Sequence, residues 1–146
     1  MNELANPLEL CGFEFIEFVS QDGELDAIFQ TIGFSKVAKH KSKNVYLWRQ
    51  GNINIILNYQ PESAAAYFFK EHGPSACAMG FRTKDAAKAF HKAVELGAEP
   101  IYSKIGPMEL NIPAIKGIGG SPIYLVDRDI YQSDFIFFDD APAHPA

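Results

Sequence analysis

Gly12-Phe13-Glu14-Phe15-Ile16-Glu17-Phe18-Val19 is followed, across Ser20-Gln21-Asp22-Gly23, by Leu25, Ile28, Phe29 and Ile32 and then by Gly33-Phe34. Aromatic and β-branched content makes the first stretch a strand. The spacing i, i+3, i+4, i+7 gives the second an apolar helical face, with a cap offered by Ser20 to Gly23 and a stop at Gly33. Phe34 to Lys39, Asn44 to Trp48 and Ile53 to Asn58 read as three further strands, the last two joined by a turn at Arg49-Gln50-Gly51-Asn52. The same order then recurs. Cys77 to Phe81 reads as a strand, and Thr83 can cap a helix carrying Ala86, Ala89, Phe90, Ala93 and Val94 that stops at Gly97. Ala98 to Ser103, Ile123 to Val126 and a closing Asp134 to Phe138 read as strands.

The two helix ends, Ile32-Gly33-Phe34 and Leu96-Gly97-Ala98, lie about 65 positions apart, as do the strands near Phe13 and Ala78. The pattern is βαβββ, twice, and the fold class is α+β. Each unit covers one sheet face with its helix and leaves the other open, so two units can pair into a half-open curved trough where a ligand would sit. A ferredoxin-like βαββαβ sandwich accounts less well for the strands at Ile53 to Asn58 and Ile123 to Val126. The organisation read from the sequence is an N-terminal segment over 1–11 and a single domain over 12–138. That domain holds repeats at about 12–60 and 74–138, joined by a short helix at 63–72, and a flexible tail covers 139–146.

Composition agrees with one globular domain. The chain has 146 residues, is 47% hydrophobic and 21% charged, and carries a net charge of −5. The acidic balance argues against a nucleic-acid partner. No apolar run, Ile55-Ile56-Leu57 among them, approaches the length of a membrane span. The amino terminus lacks a basic start and an apolar stretch, so no secretion signal is read there. Cys11 and Cys77 are too few for a disulfide framework and read as buried reduced thiols of a cytoplasmic protein.

Several segments resemble one family. They include Gly12 to Phe18, Ile32-Gly33-Phe34, Arg49 to Asn58 and Glu71-His72-Gly73-Pro74-Ser75. The most specific is Gly106-Pro107-Met108-Glu109-Leu110-Asn111, which continues through Ile112 to Gly120 into Pro122 to Arg128. Together they resemble the N-terminal domain of bacterial 4-hydroxyphenylpyruvate dioxygenase, in the vicinal oxygen chelate (glyoxalase-like) superfamily. The resemblance runs from about Asn6 to Phe138. It implies membership of a tyrosine-catabolic dioxygenase family that uses Fe(II) and O2, with the iron held by two histidines and a glutamate in a second, carboxy-terminal domain. The sequence departs from the family pattern after Arg128, where Asp129-Ile130-Tyr131-Gln132-Ser133 stands in place of a Gly-rich stretch.

The resemblance places the superfamily's metal-ligand counterparts near Phe13, Ile55, Ala78 and Tyr124, none of them a His or Glu. Phe13, Phe15, Ile55, Ala78 and Tyr124 are the candidate trough lining, and no catalytic, cofactor-binding or metal-binding residue is assigned in this chain. Of the four histidines, His91 reads as helix surface, His72 as a helix end and His40 as part of a solvated Lys-rich turn. His144 lies in the tail. Gly117-Ile118-Gly119-Gly120-Ser121 lacks the Lys-Ser/Thr of a phosphate loop and reads as a tight connection. Alternation sends Glu14 and Glu17 to opposite faces and suggests a Glu17–Arg82 pair across the pseudo-twofold. The expectation is a non-catalytic domain with a structural or assembly role. It would work as a homodimer or against a catalytic vicinal oxygen chelate domain, with no cofactor of its own. The alternatives are a stand-alone binder of a small apolar or aromatic ligand, or a divergent dioxygenase.

Overall fold

The first strand, β1 (Leu10–Val19), alternates buried Phe15, Glu17 and Val19 with half-buried Ile16 and Phe18, the period-2 signature of a strand covered on both faces. A computed structural model describes residues 5–59, 69–102 and 112–140. In chain order β1 is followed by α1 (Glu24–Thr31), β2 (Ser35–His40), β3 (Val45–Gln50), β4 (Ile53–Asn58), β5 (Ser75–Thr83) and α2 (Ala86–Glu95). Then come β6 (Pro100–Ile101), β7 (Ala114–Lys116), β8 (Pro122–Val126), α3 (Ile130–Asp134) and β9 (Phe135–Phe137). Residues 69–72, within the expected connecting helix, are helical, and the rest of that expectation falls on residues outside the described set.

Among the described residues nine strands form one sheet in the order β6-β7-β8-β5-β1-β4-β3-β2-β9. β1 runs parallel to β4 and β5 parallel to β8, while β1 and β5 pair antiparallel at the centre. The two βαβββ units therefore meet across a pseudo-twofold between β1 and β5, as the repeat in the sequence predicts. The second unit completes itself differently from the sequence reading. Its three later strands are β6, β7 and β8, and the three-residue β7 has no periodic signal to betray it. The closing segment leaves that unit altogether. Asp134 is helical, and β9 pairs antiparallel with β2 at the far edge of the first unit, matching His40 with Phe135 and Ala38 with Phe137.

Both principal helices stop at a glycine in the left-handed region, Gly33 at φ +100 and Gly97 at φ +109, a conformation that side-chain-bearing residues rarely adopt. Their starts differ from expectation. Gly23 occupies the cap of α1 without a side-chain bond, and Glu24 and Asp26 complement the dipole of its first turn. At α2 the cap is Asp85, which accepts from Lys88 N, while Asp127 Oδ2 accepts from Ala86 N at 2.7 Å. Thr83 ends β5 instead, and its hydroxyl donates to Leu8 O at 2.7 Å.

Registered neighbours share a sheet face, so the row Ile55–Ile16–Met79–Ile123 marks the face that carries the helices. There Leu25 and Phe29 of α1 pack with Trp48, Ile55 and Leu57. Ala86 and Ala89 of α2 pack with Leu125. The opposite, inner face gathers Phe15, Val37, Leu47, Ile56 and Val126, and Ile130, Tyr131 and Phe135 from the carboxy-terminal segment pack onto them.

Candidate functional site

Two clusters of polar side chains occupy the inner face. The first is buried. Glu17, 3% exposed, accepts a hydrogen bond from Asn58 Nδ2 at 2.9 Å. Cys77 donates to the same carboxyl, and burial is the main cause that raises the Glu17 pKa, opposed by these two bonds. Burial, reinforced by the neighbouring Glu17 charge, also pushes the Cys77 thiol and the Tyr124 phenol up. All three are held toward their protonated forms, so Cys77 is not an activated nucleophile.

Glu17 also has a pH consequence. The folded chain holds its proton more tightly than the unfolded chain does. Stability contributed by this group is therefore lost as pH rises from the ordinary glutamate range, about 4.3, toward the raised folded value. Glu17→Gln keeps the shape and the acceptor for Asn58 but has no charge to bury. The variant is expected to match the parent near pH 4 and to melt increasingly above it toward pH 7. A difference in Tm that is flat with pH would refute this.

The second cluster lines an open cleft of about 770 Å3, whose walls include Glu14, Arg49, Asn54, Arg82, Arg128 and Tyr131. Glu14 is its centre. Arg82 Nε donates to Glu14 Oε1 at 3.0 Å and the Tyr131 hydroxyl to Oε2 at 2.9 Å. Asn54 Nδ2 donates to the Glu14 carbonyl at 3.1 Å, and Arg49 Nε donates to Asn54 Oδ1 at 2.7 Å. Burial first, and then the adjacent Glu14 carboxylate, raise the Tyr131 pKa, so its hydroxyl stays a donor.

The ion pair across the pseudo-twofold is thus Glu14–Arg82 and not Glu17–Arg82. The cause is a bulge: β1 advances from Phe13 to Phe15 while β5 moves one residue, from Phe81 to Gly80. The extra residue, Glu14, leaves the simple alternation. With side chains 49% and 11% exposed, Arg82 and Glu14 form a pair that contributes at most about 1 kcal/mol to stability.

The same bulge separates the candidate trough residues. Phe15, Ala78 and Tyr124 lie on the inner face, where the Phe15 and Tyr124 rings sit 5.9 Å apart. Phe13, 64% exposed, pairs with Phe81 in the row of Leu125, on the helix-bearing side. Ile55 packs against α1, because the inner positions of β4 are Asn54, Ile56 and Asn58. His40 also departs from its reading as a solvated residue. It is 3% exposed, its Nδ1 accepts from Ser42 N and Lys43 N, and its ring meets Phe135 edge-on. His72 and His91 are exposed and His144 lies outside the described residues. Cys77 is buried, whereas Cys11 is exposed, at a register shift in β1.

Among the described residues no group of three or more His, Cys, Asp or Glu side chains is placed to hold a metal ion. Around the buried Glu17 the four central strands bring Asn58, Ala78 and Tyr124 together on the inner face, apart from Glu14 in the cleft. The one carboxyl in that set is already bonded to Asn58 and Cys77. This donor set does not fit an Fe(II) site of two imidazoles and a carboxylate. The described residues also contain no helix long and apolar enough to cross a membrane.

The sheet order and its pseudo-twofold define a paired βαβββ domain of the vicinal oxygen chelate class. The family described as "Hydroxyphenylpyruvate dioxygenase, HPPD, N-terminal" matches residues 4–140, and the chain belongs to it. A 4-hydroxyphenylpyruvate dioxygenase from a Pseudomonas species is 56% identical over 146 residues, covering 96% of this chain and 41% of the relative. A solved fusion of a xylose isomerase-like TIM barrel with 4-hydroxyphenylpyruvate dioxygenase superposes with a TM-score of 0.82 at 37% identity. That superposition covers 96% of this chain and 24% of the fusion chain. Methylmalonyl-CoA epimerase from Mycobacterium tuberculosis, 18% identical, shares the fold with a TM-score of 0.66 over 87% of this chain and 93% of its own. The chain thus spans about two fifths of the length of the 4-hydroxyphenylpyruvate dioxygenases from Pseudomonas that it matches.

Proposed function

We propose that this chain acts as the non-catalytic, assembly-forming domain of a 4-hydroxyphenylpyruvate dioxygenase-like protein of tyrosine catabolism. The observation that carries this reading is the occupation of the inner face. Ile130, Tyr131 and Phe135 of the chain itself pack over Phe15, Ile56 and Val126, where a catalytic domain of this class needs open coordination positions. Fe(II) and the dioxygenase chemistry belong to another part of the family's proteins in this reading. The partner is a second copy of the chain or a catalytic vicinal oxygen chelate domain. Nucleic acid and membrane are not partners, in keeping with the net charge of −5. Two free cysteines, one of them exposed, suit a reducing cytoplasm.

Metal analysis, O2 uptake on 4-hydroxyphenylpyruvate with added Fe(II), and light scattering of the purified chain test this together. The expected result is no stoichiometric iron, no turnover and the mass of two chains. A monomer that forms a stable complex with the carboxy-terminal part of the Pseudomonas relative supports the reading equally. Iron with turnover overturns it, as does a monomer that binds no such partner.

A further inference from the structure

The cleft around Glu14 holds more positive charge than its own carboxylates neutralise. Four cations line it, Arg49, Arg82, Lys84 and Arg128, against Glu14, Asp127 and Asp129. All three carboxylates are committed. Glu14 accepts from Arg82 and Tyr131, Asp127 from Ala86 N, and Asp129 from Tyr131 N and Gln132 N at the start of α3. The cations are not. Among the described residues Arg49 bonds only through Nε, to Asn54, and Arg82 only through Nε, to Glu14. Lys84 and Arg128 make no ion pair there.

Arg49 is also held in place. Its guanidinium carbon lies 5.2 Å from the centre of the Tyr131 ring and 5.5 Å from that of Phe137. A planar cation fixed against two aromatic rings, with its terminal N–H groups unused in a cleft, is preorganised for a planar, bidentate acceptor. In a chain of net charge −5 this local excess runs against the overall balance. The volume of about 770 Å3 exceeds what one compact ion needs.

The geometry points to a binding site for a small organic anion with two or more carboxylates, gripped by the half-buried Arg49 and by the exposed Arg128 and Lys84. The site is separate from the assembly role above and stands or falls without it. Its chemistry is polar, unlike the apolar ligand that the trough suggests from sequence. Nothing in it requires a metal.

Calorimetric titration of the whole chain with citrate at fixed ionic strength tests the proposal, with acetate and inorganic phosphate as competing probes. Saturable citrate binding is expected, weakened about tenfold or more by Arg49→Gln and by the exposed substitution Arg128→Gln. Lys92→Gln, on the solvent side of α2, should leave it unchanged. Melting curves of each variant show whether it is folded, and Arg128→Gln keeps the test valid should Arg49→Gln lower stability. The absence of saturable citrate binding overturns the proposal. So does citrate binding that both arginine substitutions leave intact, or acetate or phosphate binding as tightly as citrate.

Discussion

Cutting the chain after Asp129 is expected to abolish cooperative unfolding. The removed segment carries Ile130, Tyr131 and Phe135, all buried against Phe15, Val37, Leu47 and Ile56. Each such side chain contributes roughly 1.5–3 kcal/mol by leaving water. Together they approach the whole net stability of a typical domain, about 5–15 kcal/mol. The cut also strips β9 from β2, leaving Ala38 to His40 as an open edge. The truncated chain should keep much of its far-ultraviolet sheet signal, lose near-ultraviolet ellipticity and bind a hydrophobic dye. A product that melts sharply within a few degrees of the parent would show that the segment merely decorates the inner face.

Phe15→Ala is expected to cost about 3–5 kcal/mol, the range for emptying a buried aromatic site. At about 2–4 °C per kcal/mol for a chain near this size, the fall in Tm is large. Phe15 also has a specific counterpart. Its ring lies so close over Gly80 that a Cβ built there would stand 2.5 Å from ring carbon Cε2. Gly80→Ala alone should therefore destabilise by about 1–3 kcal/mol, since the ring is walled in by Tyr124 and Val126 and must shift. In the Phe15→Ala background the same methyl group enters emptied space. The double variant should be more stable than Phe15→Ala alone. A double-mutant cycle from urea melts checks this, and simple additivity of the two costs would contradict the packing described.

The origin of these two effects shows how far a sequence can be read. The βαβββ order of the first unit and the strand and helix that repeat its start at Ser75–Thr83 and Ala86–Glu95 follow from local rules; the last strands of the second unit do not. Helical spacing and a glycine at each helix end depend only on neighbours in the chain; both helix ends survive into the structure, but of the expected apolar face Leu25 and Phe29 are buried while Ile28 and Ile32 are 52% and 55% exposed. The resemblance carried by the loop sequences located the family. Local rules misplaced residues wherever the sheet departs from strict alternation. One bulge in β1 carries Glu14 to Arg82 and Tyr131 and leaves Phe13 on the outer side. The register of β4 with β1 turns Ile55 toward α1. A period-2 argument fails at a bulge because the extra residue has no partner across the ladder.

The cleft was beyond such reasoning for a related reason. Its members come from β1, β3, β4, β5, the loop before α3 and α3 itself, and no short spacing in the sequence joins them. Arg49 reads as part of a turn, but pairing with Asn54 across the β3–β4 hairpin makes it a strand residue. His40 reads as solvated because its neighbours are lysines; Phe135, about a hundred positions away in the chain, covers it.

By itself the amino-acid sequence determined the two repeats, their helices and the family, since these rest on local periodicity, glycine conformations and the length of matched segments. Only the tertiary structure decided which side chains share the inner face, that the carboxy-terminal segment closes it, and where charge collects. Those outcomes depend on register and on a chain crossing between units, both set by packing among residues that are distant in the chain.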